Sequence, residues 1–170
     1  MAGGWVCPEC GLDYDTVSPS DASVAARSFA RRFAENLRRV DDEAVLRRRP
    51  EPAVWSALEY AAHVRDLFDV MASTVERMRT ESAPTIDFPD PDRTAEEQHY
   101  NEQDVDDVLT GLAANAEKLA EAIERTRASD LDRTAHFPWG DRDLLTMIRN
   151  AVHEGKHHLR DAEQVLARVE

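Results

Sequence analysis

Four stretches of this chain repeat apolar side chains at the period of an α-helix, and that periodicity limits the fold more than any other feature. From Ala22 to Val40 the set is Val24, Phe29, Phe33, Leu37 and Val40. From about Val54 to Thr80 it is Leu58, Ala61, Ala62, Leu67, Phe68, Met71, Val75 and Met78. From Glu102 to Ala128 it is Val105, Val108, Leu109, Leu112, Ala116, Leu119, Ala120 and Ile123. From Asp141 to Val169 it is Leu144, Leu145, Ile148, Val152, Leu159, Ala162, Val165, Leu166 and Val169. Spacings of three and four residues gather each set on one side of a helix. No strand-like alternation accompanies them, so the expected fold is all-α, a four-helix bundle.

Punctuation sets the boundaries. Ser20 or Asp21 reads as the first N-cap, and Pro50 and Pro52 close the region after the first helix. The link over 82–100, with Pro84, Pro89 and Pro91, reads as long and irregular. The link into the last helix is short and contains Phe137-Pro138-Trp139-Gly140. At 170 residues the chain suits one domain. The expected division is a bundle over 20–170 preceded by an extension over 1–19.

Charge excludes whole classes of partner. The formal net charge is −13, whereas phosphate backbones and anionic lipid surfaces need a concentrated positive patch. The expectation is no nucleic acid and no membrane. No run of about 18 apolar residues occurs, and Met1-Ala2-Gly3-Gly4-Trp5-Val6-Cys7 lacks the basic start of a signal peptide. A cytoplasmic protein is expected. Ala-rich helix faces fit a homodimer.

Half of the six histidines lie in Asn150-Ala151-Val152-His153-Glu154-Gly155-Lys156-His157-His158. His153 and His157 are four apart, one helical turn, and could present two imidazoles to one ion. His63, midway along the second helix, makes a three-histidine site plausible, because bundles build metal sites from facing helices. The stretch also reads as H-E-x-x-H, the zinc-protease pattern. The metzincin continuation needs glycine at 160 and histidine at 163, but the chain has Arg160 and Glu163. Glu154 lies about 100° around the helix from His153 and need not face the metal. By the same rotation His158 reads as bundle surface.

These residues resemble the DinB-like, or DinB/YfiT-like, family of metal-dependent four-helix bundles. The resemblance rests on Trp55-Ser56-Ala57-Leu58-Glu59-Tyr60-Ala61-Ala62-His63, on Phe137-Pro138-Trp139-Gly140, and on His153 through Asp161, and it spans nearly all of 20–170. It implies a divalent zinc or nickel ion on His63, His153 and His157. It further implies relatives such as mycothiol-dependent maleylpyruvate isomerase and bacillithiol or mycothiol S-transferases. On that reading the ion activates a low-molecular-weight thiol against a small-molecule electrophile. Glu59 and Asp161, each one turn from a histidine, would orient the ligands, and Glu154 is the remaining candidate base. Arg47, Arg48, Arg49 and Arg160 would hold the carboxylates of a thiol cofactor. The competing readings are a non-catalytic metal-binding or regulatory module and an H-E-x-x-H hydrolase.

One motif lies outside the resemblance. Cys7-Pro8-Glu9-Cys10-Gly11 has the form of a zinc knuckle, in which glycine permits the turn that aims both sulfurs at one ion. It supplies two ligands where structural zinc takes four. The missing pair could come from His99 and His136, from a second chain, or from the bundle's own metal. A redox pair and an inert tail stand beside this second-zinc reading.

Overall fold

The computed structural model describes residues 5–169. The four long helices are α1 Pro19–Arg38, α3 Ala57–Thr80, α5 Val105–Glu124 and α6 Leu144–Val169. Two short helices, α2 Glu43–Leu46 and α4 Pro91–Glu97, occupy the links. The first N-cap is Ser18, not Ser20 or Asp21. Pro19 takes the first helical position, where a missing N–H costs nothing, and Asp21 completes a capping box with Ser18. Ser56 and Glu59 form the same box at the start of α3.

Two links carry more structure than periodicity shows. The stretch expected to be irregular contains α4, opened by Asp90 as cap and Pro91 behind it. The link before α6 is an antiparallel hairpin, β1 Thr134–Phe137 and β2 Gly140–Asp143, turning at Gly140 with φ +104°. Ile86 N donates to His136 O and His136 N to Pro84 O, so the segment after α3 lies along the hairpin. Four-residue strands are too short for alternation to reveal them.

The helices do not follow one another around the bundle. α1 packs against α5 and α6, as does α3, while α1 and α3 face each other across the diagonal and scarcely touch. The core between them holds Phe33, Leu58, Phe68, Leu112, Leu119, Ile123, Leu144 and Ile148. Burying one such side chain contributes about 1.5–3 kcal/mol. Gly155 lets α6 approach closely, since a Cβ there would stand 2.4 Å from the Phe29 ring and 3.0 Å from that of Phe68. This order makes α3 a neighbour of α6, which brings His63 to the histidine-rich turn.

The extension folds onto α6. Val6 and Asp13 form a bridge, Cys7 N donates to Leu12 O, and Gly11 turns the chain at φ +67°. Leu12 and Val17 join the core. Tyr14 Oη donates to Asn150 Oδ1 at 2.9 Å, and Arg149 Nε donates to Val17 O at 3.1 Å. Among the described residues, no helix is long and apolar enough to cross a membrane.

Candidate functional site

Consecutive residues of α6 point into two different environments. His153 and His157 stack along one line of the helix, and Glu154 and His158 along the next. The first pair meets the extension, where one donor atom each from Cys7, Cys10, His153 and His157 lies within 4.8 Å of every other. The second pair meets α3, where His63, Glu154 and His158 converge within the same limit. The structure therefore brings His153 and His157 together but groups His63 with Glu154 and His158. His158, expected on the surface, turns inward beside His63, their rings 4.8 Å apart, and Glu154 faces the same cluster.

The second cluster forms part of the wall of a cavity of about 390 Å³ whose lining is mostly apolar and includes Trp55, Phe88 and Trp139. Trp55 packs on the His63 ring at 5.1 Å, and Tyr60 stacks on His158 at 5.6 Å. His158 Nε2 lies 3.2 Å from Glu154 Oε2, and its Nδ1 lies 3.2 Å from Asp161 Oδ2. A wider groove between α1 and α5, lined by Arg27, Arg31 and Glu117 among others, carries no histidine or cysteine.

Burial and pairing set the charges. Burial drives His63 down to about 4, with His158 acting the same way, so its imidazole is neutral near pH 7. Burial also works against charge on His158, but hydrogen bonds to Asp161 and Glu154 outweigh it and hold the imidazole up at about 9. For Glu154 burial favours the neutral acid, and its bonds to His153 and His158 overcome that and keep it below the usual carboxylate range. His153 is raised by its bond to Glu154 against the effect of burial.

In the first cluster Cys7 is buried and lies 3.7 Å from His157 Nδ1. A backbone hydrogen bond from Cys10 draws its thiol down to about 6 against burial, helped by the nearby imidazoles. Burial pushes Cys10 up. Trp5 and Tyr14 cover His153, with ring centres at 5.1 and 5.8 Å. Neither His99 nor His136 reaches the knuckle. His99 is exposed near Glu102, and His136 pairs with Asp141 on the hairpin at 2.7 Å.

The supporting residues divide similarly. Asp161 touches His158 at 3.2 Å and His157 at 3.5 Å. Glu59 does not orient His63: it is buried in its capping box and paired with Arg49. Arg47 donates to Asn101 O and Gln103 O, and Arg48 to Val169 O. Arg160 stands near Glu9 and Asp161. None of these arginines lines the aromatic cavity. Sequence reasoning missed Phe88, Asn150 and Leu67 in that lining, because loop and helix residues far apart in the chain assemble it.

The four long helices define a helical bundle protein whose last helix contributes to every candidate donor group among the described residues, including a third group of Glu9, His157 and Asp161. Residues 24–162 match the DinB superfamily, and the chain belongs to that family. Its fold is similar to that of YfiT from Bacillus subtilis, described as a probable metal-dependent hydrolase with an unusual four-helix bundle topology. The TM-score is 0.81 at 14% identity, covering 91% of this chain and 90% of YfiT. No curated protein matches the chain in sequence.

Proposed function

We propose that this protein is a metal-dependent enzyme whose divalent ion is held by His63, Glu154 and His158 and whose substrate is a small, largely apolar electrophile seated in the aromatic cavity. The observation that carries this reading is convergence: two imidazoles and a carboxylate, from helices far apart in sequence, meet at the wall of that cavity. Two nitrogens and an oxygen suit zinc or nickel, and three protein donors leave a position for a nucleophile. When bound, the ion supplies Lewis acidity that makes coordinated water or thiol nucleophilic near neutral pH.

The protein's own residues do the rest. Asp161 accepts from His158 Nδ1, which fixes the ring orientation and directs Nε2 toward Glu154 and His63. Glu154 is steadied through its other oxygen, 3.2 Å from His153 Nδ1. Trp55, Phe88 and Trp139 exclude water and favour an apolar substrate. Water is the favoured nucleophile, giving hydrolysis, because Arg47, Arg48 and Arg160 do not line the cavity to hold an anionic cofactor. The second reading is thiol transfer or isomerisation with a mycothiol-like thiol, supported by the sequence motifs around His63 and His153 through Asp161. The H-E-x-x-H protease reading is disfavoured, since His153 and His157 face the two cysteines.

Zinc- and nickel-loaded protein, assayed with ester and amide substrates and separately with thiols plus electrophiles, tests the reading. Turnover lost in His63→Ala and His158→Ala supports it, and the arm that turns over identifies the nucleophile. No metal lost in either variant overturns it.

A further inference from the structure

The sulfur-containing cluster does not line the cavity, and touches the proposed centre only through the contact of His153 with Glu154. Cys7, Cys10, His153 and His157 come from the knuckle and from α6, and their donor atoms already lie within 4.8 Å of one another. In a tetrahedral zinc site with bonds of about 2.0–2.3 Å, donors stand roughly 3.3–3.8 Å apart. The Cys7 Sγ to His157 Nδ1 distance of 3.7 Å falls within that range.

Both imidazoles are already oriented as ligands. His153 directs Nδ1 to Glu154 Oε1 at 3.2 Å, and its Nε2 is buried with no hydrogen-bond partner. Among the described residues, only that atom and Arg79 Nε are buried side-chain polar atoms left unpartnered. An unpartnered buried nitrogen costs about 1–3 kcal/mol unless something satisfies it. His157 shows the complementary arrangement: Nδ1 faces Cys7 Sγ, while Nε2 lies 3.5 Å from Glu9 and 3.5 Å from Asp161. A carboxylate on the far nitrogen is the usual companion of a metal-bound histidine.

We infer that Cys7, Cys10, His153 and His157 form a closed four-ligand zinc site that fastens the N-terminal extension to α6. Two thiolates and two imidazoles select zinc over the hard cations that carboxylates prefer. Four donors leave no position for substrate, and the depression bordered by Trp5, Tyr14 and Trp139 does not include any of the four. Binding releases to solvent whatever protons the two sulfurs and the ligating imidazole nitrogens still carry, and moves no electrons. Apart from the ion, the extension is tied to α6 by the Tyr14–Asn150 and Arg149–Val17 hydrogen bonds and by the pairs of Arg149 with Asp15 and of Glu9 with His157 and Arg160.

The test uses the full chain, stripped with chelator and reloaded with cobalt or with zinc. Cobalt should give an intense thiolate-to-metal charge-transfer band, absent in Cys7→Ser/Cys10→Ser and in His153→Ala/His157→Ala but present in His63→Ala/His158→Ala. Zinc should slow alkylation of both wild-type thiols by about tenfold or more, a readout that needs no variant to fold. No cobalt–thiolate band in wild type, or alkylation at the same rate with and without zinc, overturns the inference. A band that survives His153→Ala/His157→Ala overturns the assignment of those two ligands. The cavity reading fails separately, by unchanged metal content in His63→Ala/His158→Ala.

Discussion

His153 and Glu154 are neighbours in the chain, as are His157 and His158, yet they serve two unlike places. One side of the α6 turn faces a sulfur-rich cluster covered by Trp5 and Tyr14, and the other faces a nitrogen-and-oxygen cluster open to a cavity of about 390 Å³. On the proposed reading the difference separates holding from reacting. Four donors under an aromatic cover satisfy an ion completely, whereas three donors beside a cavity leave room for chemistry. Glu154 links the two, with one oxygen 3.2 Å from His153 and the other 3.2 Å from His158. The histidines nearest in sequence are therefore not the ones that share a site.

The two clusters should differ most at the cavity. His63→Ala or His158→Ala should remove one metal equivalent and several kcal/mol of transition-state stabilisation, roughly a thousandfold in kcat/KM. Elemental content and kinetics on the same samples check this, and a large loss of Tm with intact turnover would reverse the roles of the two clusters. Cys7→Ser/Cys10→Ser should do the opposite. It should lower the Tm of zinc-saturated protein by about 10 °C, the effect of losing a ligand held near a thousand times its Kd, while kcat stays within about threefold. Differential scanning calorimetry with and without chelator measures it.

Asp161→Asn sharpens the picture at the cavity. Losing the carboxylate behind His158 should weaken metal affinity about 10- to 100-fold, read by competition with a chromophoric chelator. It also carries a pH signature in chelator-treated protein. His158 is held up at about 9 against an ordinary 6.5, so the stability it gives is complete below pH 6.5 and is lost as pH rises through about 9. Asp161→Asn should flatten that fall in Tm. Gly155→Ala should cost about 1–3 kcal/mol, because a Cβ at 2.4 Å from Phe29 forces α6 outward. Denaturant titration measures it, and Phe29→Leu in the same chain should recover part of the loss. Arg160→Ala is expected to change neither metal content nor turnover by more than about twofold, as suits a half-buried side chain that does not line the cavity.

Much of this was legible without coordinates. The apolar period marked the four long helices, and α3, α5 and α6 fall inside the stretches it drew. The histidine-rich turn stood out as a candidate metal site, and the C-P-E-C-G turn as a candidate zinc knuckle beside the redox and inert-tail readings. What periodicity could not supply was rotation. His153 with His157, and Glu154 with His158, are both pairs four apart, so spacing alone fits either to the cavity. Burial of Gly155 against Phe29 and Phe68 sets the angle of α6, and with it which pair meets His63. Glu59 misled for a related reason: one turn from His63 it could orient a ligand, but its carboxylate is engaged by Ser56 and Arg49 at the helix start.

Local sequence specified the four long helices and the inventory of donors, because helical period, caps and turn glycines act over a few residues. Tertiary structure alone decided which donors meet. The diagonal order of α1 and α3 places α3 beside α6 and delivers His63 to Glu154 and His158, and the folded extension delivers Cys7 and Cys10 to His153 and His157. Those meetings join residues far apart in the chain, and they depend on how whole faces pack against one another rather than on any local spacing.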